Sequence, residues 1–166
     1  MSGPDNPDSA IRMNIRGLVM DPTSKSPVVV LENSAGDLLL PIWIGVCEAN
    51  SIALELEGVQ SPRPMTHDLI RNLINTAGCV VEHIFIHTLE DSIFKASIQI
   101  RDADKAVHQV DSRPSDAIAI ALRARADVLV DPEVLENAVM NTSTVEETVR
   151  ELLENMRPED MGEYEM

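Results

Sequence analysis

DSRPSDAIAIALR, running from Asp111 to Arg123, is the stretch whose reading decides the fold. From Ala117 to Leu122 every residue is apolar, and a helix that is apolar all round must be buried on most of its sides. Ser115 is a favoured N-cap, and Asp116 sets negative charge at the helix's positive end. Pro114 biases Arg113 away from helical geometry, so the helix cannot run backwards through this point. The sequence therefore predicts a buried central helix whose mouth carries Asp111, Arg113, Ser115 and Asp116.

An earlier stretch, RPMTHDL from Arg63 to Leu69, has the same construction. An Arg-Pro step precedes a capping hydroxyl (Thr66), an acid (Asp68) and an apolar helical run. Proline, hydroxyl and acid are what any helix start requires. The arginines are not. Arg63 and Arg113 each offer a planar, permanently charged donor suited to carboxylate or phosphate.

Around these two mouths the chain sorts into strands and helices. Residues 11–20 alternate Ile11, Met13 and Ile15 with Arg12, Asn14 and Arg16, the period of a half-buried strand. Val28–Leu31 and Leu38–Ile44 follow as strands around the turn at Ser34–Asp37, giving an antiparallel meander. Val46–Glu57 places Ala49, Ile52, Ala53 and Leu56 on one helical stripe, with Glu48 in the first turn and Gly58 as terminator. The helix after Thr66 is expected to turn Leu69, Ile70, Leu73, Ile74 and Ala77 inward and to end at Gly78. A hairpin over 79–101 and a short strand at Val107–Asp111 deliver the central helix; a strand at Val128–Val130 and a helical turn from Pro132 to Ala138 follow it. The expected architecture is α+β: an antiparallel or mixed sheet packed with helices around the buried central one. Three segments are expected: a disordered lead-in at 1–10, one compact domain at 11–140, and an acidic amphipathic helix and tail at 141–166.

Charge narrows the partners. The net charge is −15, and residues 131–166 hold 11 acids against 2 bases. The basic footprint of a duplex binder is missing, and with 2% aromatic residues there is little to stack on bases. Cys47 and Cys79 are too few and too far apart for a disulfide framework and are expected to be buried free thiols. With no long apolar run and a polar start, the sequence predicts a cytoplasmic protein without a membrane span. His83 and His87 lie about 13 Å apart along one strand, too far to share one metal ion.

No GxGxxG, Walker loop, HExxH, GxSxG or paired CxxC occurs. What remains is carboxylates (Glu48, Asp68, Asp111, Asp116), one histidine (His67) and two arginines (Arg63, Arg113) at helix mouths, with Thr66 and Ser115 beside them. Carboxylates and histidine suit a hard divalent cation, Mg2+ or Mn2+, with Asp68 and Asp116 as the candidate ligands; arginines and hydroxyls suit phosphate. Together they fit metal-assisted phosphodiester hydrolysis, with no organic cofactor.

Three blocks carry a resemblance: LPIWIGVCEANSIALEL ending at Leu56, SPRPMTHDLIRNLI at 61–74, and VDSRPSDAIAIALR at 110–123. Over roughly Met13 to Ala138 the sequence resembles the bifunctional nuclease domain family, bacterial proteins and plant relatives credited with DNase and RNase activity. The resemblance implies a compact α/β domain, a homo-oligomer (a dimer is expected) and DNA or RNA as substrate. A competing reading is a non-catalytic module that binds an anion or a protein partner in the same cleft, with the acidic segment regulating access.

Overall fold

The structure, a computed structural model, describes residues 9–140. The lead-in before Ser9 and the expected acidic helix at 141–166 lie outside the described residues. Strands β1 (Ile11–Met20), β2 (Pro27–Asn33) and β3 (Leu39–Trp43) form the opening meander. Helices α1 (Val46–Leu56) and α2 (Thr66–Thr76) precede a long hairpin, β4 (Val80–Glu90) and β5 (Ile93–Arg101). Then come β6 (Val107–Ser112), α3 (Pro114–Ala124), β7 (Asp127–Val130) and α4 (Pro132–Met140).

The strands make one seven-stranded sheet in the order β3-β2-β1-β7-β4-β5-β6. All pairings are antiparallel except β4 with β7, which the α4-flanked strand β7 reaches by inserting between β1 and β4. That parallel pairing makes the sheet mixed and joins two antiparallel halves. Among the described residues strand β6 pairs with β5 alone and forms an exposed edge of the sheet.

Helix α3 is the core, as its apolar run requires. Ala117, Ile118, Ala119, Ile120 and Ala121 are all buried, against Ile84 and Ile86 of β4, Ala96 and Ile98 of β5, and Ile52 of α1. Small side chains on α3 let its neighbours approach closely. Val19, Val28 and Val30 form a separate buried cluster, because Val28 and Val30 alternate with the inward Val29 and Leu31 along β2. Helices α1 and α2 both end at glycines with left-handed backbone, Gly58 at φ 67° and Gly78 at φ 75°, where a side chain would be strained.

Three expectations change. Leu69 and Leu73 of α2 point to solvent, while Ile70 and Ile74 are half-buried. The helix touches its neighbours along a strip narrower than its apolar stripe. Cys47 is exposed and Cys79 half-buried, since Cys47 falls in the outward first turn of α1. The caps also differ: α3 begins at Pro114 with Arg113 as N-cap, and α2 begins at Thr66 with Met65 as N-cap. Proline is comfortable as the first helical residue, so Ser115 lies inside α3 and is buried. Among the described residues no helix is long and apolar enough to cross a membrane.

Candidate functional site

The first turns of three helices face one cleft of about 750 Å³. Cys47 and Glu48 come from α1, Met65, Thr66 and His67 from α2, and Arg113 and Asp116 from the start of α3. Asp111 and Ser112 of β6 close one side. Helix N-termini carry partial positive charge and unpaired N–H groups, so their convergence favours an anion.

Inside the cleft the polar side chains form a chain of contacts. Ser51 Oγ lies 2.8 Å from His67 Nδ1, and His67 Nε2 lies 3.0 Å from Asp116 Oδ1. The second carboxylate oxygen of Asp116 accepts from Arg113 Nε at 2.7 Å. Arg113 Nη2 reaches Glu48 Oε1, also at 2.7 Å, returning the chain to α1. An ionised carboxylate only accepts, so Nε2 of His67 carries the proton facing Asp116. In the neutral ring Nδ1 then accepts from the Ser51 hydroxyl.

Exposure grades along this chain. The side chain of His67 is 10% exposed, that of Asp116 26%, and that of Arg113 67%. The guanidinium is thus the member presented to solvent. Burial pushes the Asp116 carboxyl up, but hydrogen bonds from Arg113 and His67 outweigh it and hold the group below the usual carboxylate range. Gly45, the N-cap of α1, supplies room: a Cβ there would overlap the Glu48 carboxylate and displace it from Arg113.

A second polar network lies on the other side of α2. Arg123, with a side chain 3% exposed, donates from Nε to Asp68 Oδ1 at 2.6 Å, from Nη1 to the Ala119 carbonyl at 2.9 Å, and from Nη2 to the Ser51 carbonyl at 3.1 Å. Asp68 also accepts from the Met65 amide at 2.9 Å, closing the start of α2. Burial raises the Asp68 carboxyl, and the Met65 amide and Arg123 lower it further, leaving it below its ordinary value. Asp68, Arg71 and Arg123 line a smaller pocket of about 340 Å³.

Of the residues singled out from sequence, Glu48, Thr66, His67, Asp111, Arg113 and Asp116 line the large cleft, and Arg63, Asp68 and Ser115 do not. Asp68 turns to Arg123 and the smaller pocket, so it and His67 face different sites. The suggested metal pair Asp68 and Asp116 is parted by the same geometry. Arg63 is exposed and precedes the α2 N-cap by two residues, whereas Arg113 is itself the N-cap of α3. Ser115 is turned into the core.

Two contributors escaped the sequence reading. Ser51 sits beside Ile52 in the apolar stripe of α1, where nothing local marks a partner. Arg123 did carry a signal: seven residues from Asp116, it shares a helix face with it.

Each carboxylate that a divalent cation would need from Glu48, Asp116 or Asp68 is held by an arginine. Glu48 and Asp116 share the single positive charge of Arg113, and Asp68 pairs with Arg123. Among the described residues no three of His, Cys, Asp and Glu gather at ligand spacing.

A family model described as the bifunctional nuclease domain matches residues 29–143. An uncharacterized protein of Mycobacterium tuberculosis is 36% identical over 161 residues, which cover 89% of this chain and 96% of the relative. Bifunctional nuclease 1 of Oryza sativa subsp. indica is 23% identical over 130 residues, covering 76% of this chain. The bifunctional nuclease of Oryza minuta matches to the same extent. The matched region spans only 39% of the length of these plant relatives.

Proposed function

The chain belongs to the bifunctional nuclease domain family, and from that premise we propose that it hydrolyses phosphodiester bonds of nucleic acid in the cleft at the three helix starts. One observation carries this reading: an exposed arginine, tethered by two carboxylates, stands where the first turns of α1, α2 and α3 meet. A phosphodiester entering the cleft competes with Glu48 and Asp116 for Arg113, which matches two phosphate oxygens at once. As Arg113 turns to the phosphate, Asp116 loses a contact that lowers its pKa while keeping the burial that raises it. The carboxylate becomes a better base at the moment substrate is bound. His67, held by Ser51, keeps Asp116 oriented through Oδ1, and Oδ2 is left free to take the proton of the attacking water. Arg113 stabilises the charge that develops on the phosphoryl oxygens.

A divalent cation enters this proposal only together with substrate. Mg2+ is commonly bound by one or two carboxylates plus substrate phosphate, and Glu48 and Asp116 would be those carboxylates once Arg113 leaves them. No step here depends on it. Homodimerisation is likewise proposed; the unpaired edge of β6 is the surface that favours it, and light scattering tests it.

The test is cleavage of a labelled single-stranded oligonucleotide by purified protein. Asp116→Asn should lower the rate about a hundredfold or more, the loss typical of a removed general base. Arg113→Gln should raise KM as well, and Arg63→Ala, outside the cleft, should leave both unchanged. Wild-type rates in the Asp116 and Arg113 variants alike would trace the activity to a contaminant. EDTA separates the cation-assisted form of the reaction from the form that uses Asp116 alone. The second reading, an anion-binding module without catalysis, has one observation in its favour: both ring nitrogens of His67 are already engaged. It requires oligonucleotide binding that Arg113→Gln abolishes and no cleavage product from any variant.

A further inference from the structure

The lining of the cleft is not all polar. Between and below the helix mouths it is aliphatic: Met65, the N-cap of α2, with Ile70 of α2, Ile98 of β5, Val110 of β6 and Ile120 of α3. Ile98 and Ile120 are nearly buried and form the floor, whereas Val110 is 46% exposed. Val110 pairs with Ile98 across the β5–β6 ladder, on the sheet face that α3 covers at Ile98 but no helix covers at Val110. An apolar shelf therefore lies beside Arg113, open to solvent.

The same cleft has room for few phosphates. Of the described residues lining it, Arg113 is the one with permanent positive charge, and Glu48, Asp111 and Asp116 are acidic. A guanidinium matches one phosphodiester. Each further phosphate along a strand would meet Asp111 or Glu48, on a chain whose net charge is −15. Binding the interior of a long strand takes a basic groove tracking several phosphates and aromatic platforms for the bases. The cleft shows neither. Its volume of about 750 Å³ falls in the range of small-molecule sites, about 300–1,000 Å³.

Resting on the hydrolase reading above, we propose that the site takes one phosphodiester with one flanking nucleoside. The phosphate sits on Arg113 and the base on the aliphatic shelf of Ile70, Ile98 and Val110. Its substrates are then dinucleotides and the ends of single strands, from which it releases mononucleotides. Water forms the new P–O bond, its proton passes to Asp116, and the bond to the leaving ribose oxygen breaks, that oxygen taking a proton from solvent.

The experiment compares thymidylyl-thymidine with an end-labelled single strand of about twenty nucleotides, longer than the site of one strand-binding fold. The expected result is kcat/KM for the dinucleotide within about tenfold of that for the long strand, with mononucleotide as the first product of both. Val110→Asp, at an exposed position that carries little folding risk, should raise KM for the dinucleotide about tenfold at unchanged kcat. For the long strand, log KM should rise with log salt at a slope near 0.7, the value for one phosphate contact on single-stranded nucleic acid. A ladder of internal fragments, with the dinucleotide left intact and a salt slope of about 3 or more, would overturn the proposal and leave the hydrolase reading standing. Absence of cleavage of either substrate would overturn both.

Discussion

Replacing Arg123 with methionine probes how the three helices around the cleft are held together. Methionine keeps most of the side-chain volume and removes the charge, so no large cavity complicates the result. Three contacts vanish: the ion pair with Asp68, and the bonds to the Ala119 and Ser51 carbonyls. Breaking a buried pair from one side costs about 3–5 kcal/mol. Asp68 keeps its Met65 contact and is 25% exposed, so water compensates part of the loss and the lower end, about 3 kcal/mol, applies. For a chain of this length that corresponds to a fall in Tm of about 6–12 °C. Urea denaturation followed by circular dichroism measures it. The penalty should also depend on pH. The Asp68 carboxyl is held below its ordinary value of 3.8, so the stability it contributes is complete above that value. It is lost as pH falls through the lowered value, because the protonated acid no longer attracts Arg123. The difference between wild type and Arg123→Met should therefore shrink in acid, and Asp68→Asn combined with Arg123→Met should cost less than the two single changes added. A penalty below about 1 kcal/mol that does not vary with pH would show that the network contributes little to stability and refute the reasoning.

The remaining expectations are shorter. Trp43, the single tryptophan, donates from Nε1 to Asp21, whose carboxyl is held down to about 2 by hydrogen bonds from Ser24, Trp43 and Thr23. Its emission should titrate near that value while circular dichroism is unchanged, and Asp21→Asn should remove the transition; a midpoint near 3.8 would refute the assignment. Cys47, exposed at the cleft, should react with a maleimide before Cys79 does, and the adduct should block substrate; oligonucleotide should slow the labelling. Gly45→Ala should raise KM or kcat defects only through Glu48, so that adding Glu48→Gln to it changes kinetics little further. Truncation after Asn141 removes eight acids and two bases, 6 of the 15 net negative charges, and should tighten oligonucleotide binding, more so at low salt, where the screening length is longer; equal affinities at two salt concentrations would refute a shielding role.

The fold was legible where burial follows from local pattern, and the site only where local pattern coincides with tertiary placement. The apolar run Ala117–Leu122 has one physical solution, an enclosed helix, and α3 is that helix. Val28 to Leu31 could be read as a strand, but its position beside β1, and the insertion of β7 between β1 and β4, depend on pairings far apart in the chain. The two Arg-Pro stretches show how one-dimensional likeness misleads. Pro114 is the first residue of α3, while Pro64 precedes the N-cap of α2, and that offset swings Arg63 away from the cleft that Arg113 enters. His67 and Asp68 belong to one helix mouth in sequence, yet they face different partners on α3, Asp116 and Arg123. Their separation has a partner on α3. Asp116 and Arg123 stand two turns apart on one face of that helix, about 10 Å along its axis. Asp116 takes His67 and Arg123 takes Asp68, so the first turn of α2 is fixed across α3 at two points. Ser51 joins both: its hydroxyl meets His67 and its carbonyl meets Arg123. A residue with no distinguishing local signal thus links the packing network to the charged cleft, and the orientation of His67 depends on the same three-helix junction that Arg123 holds closed.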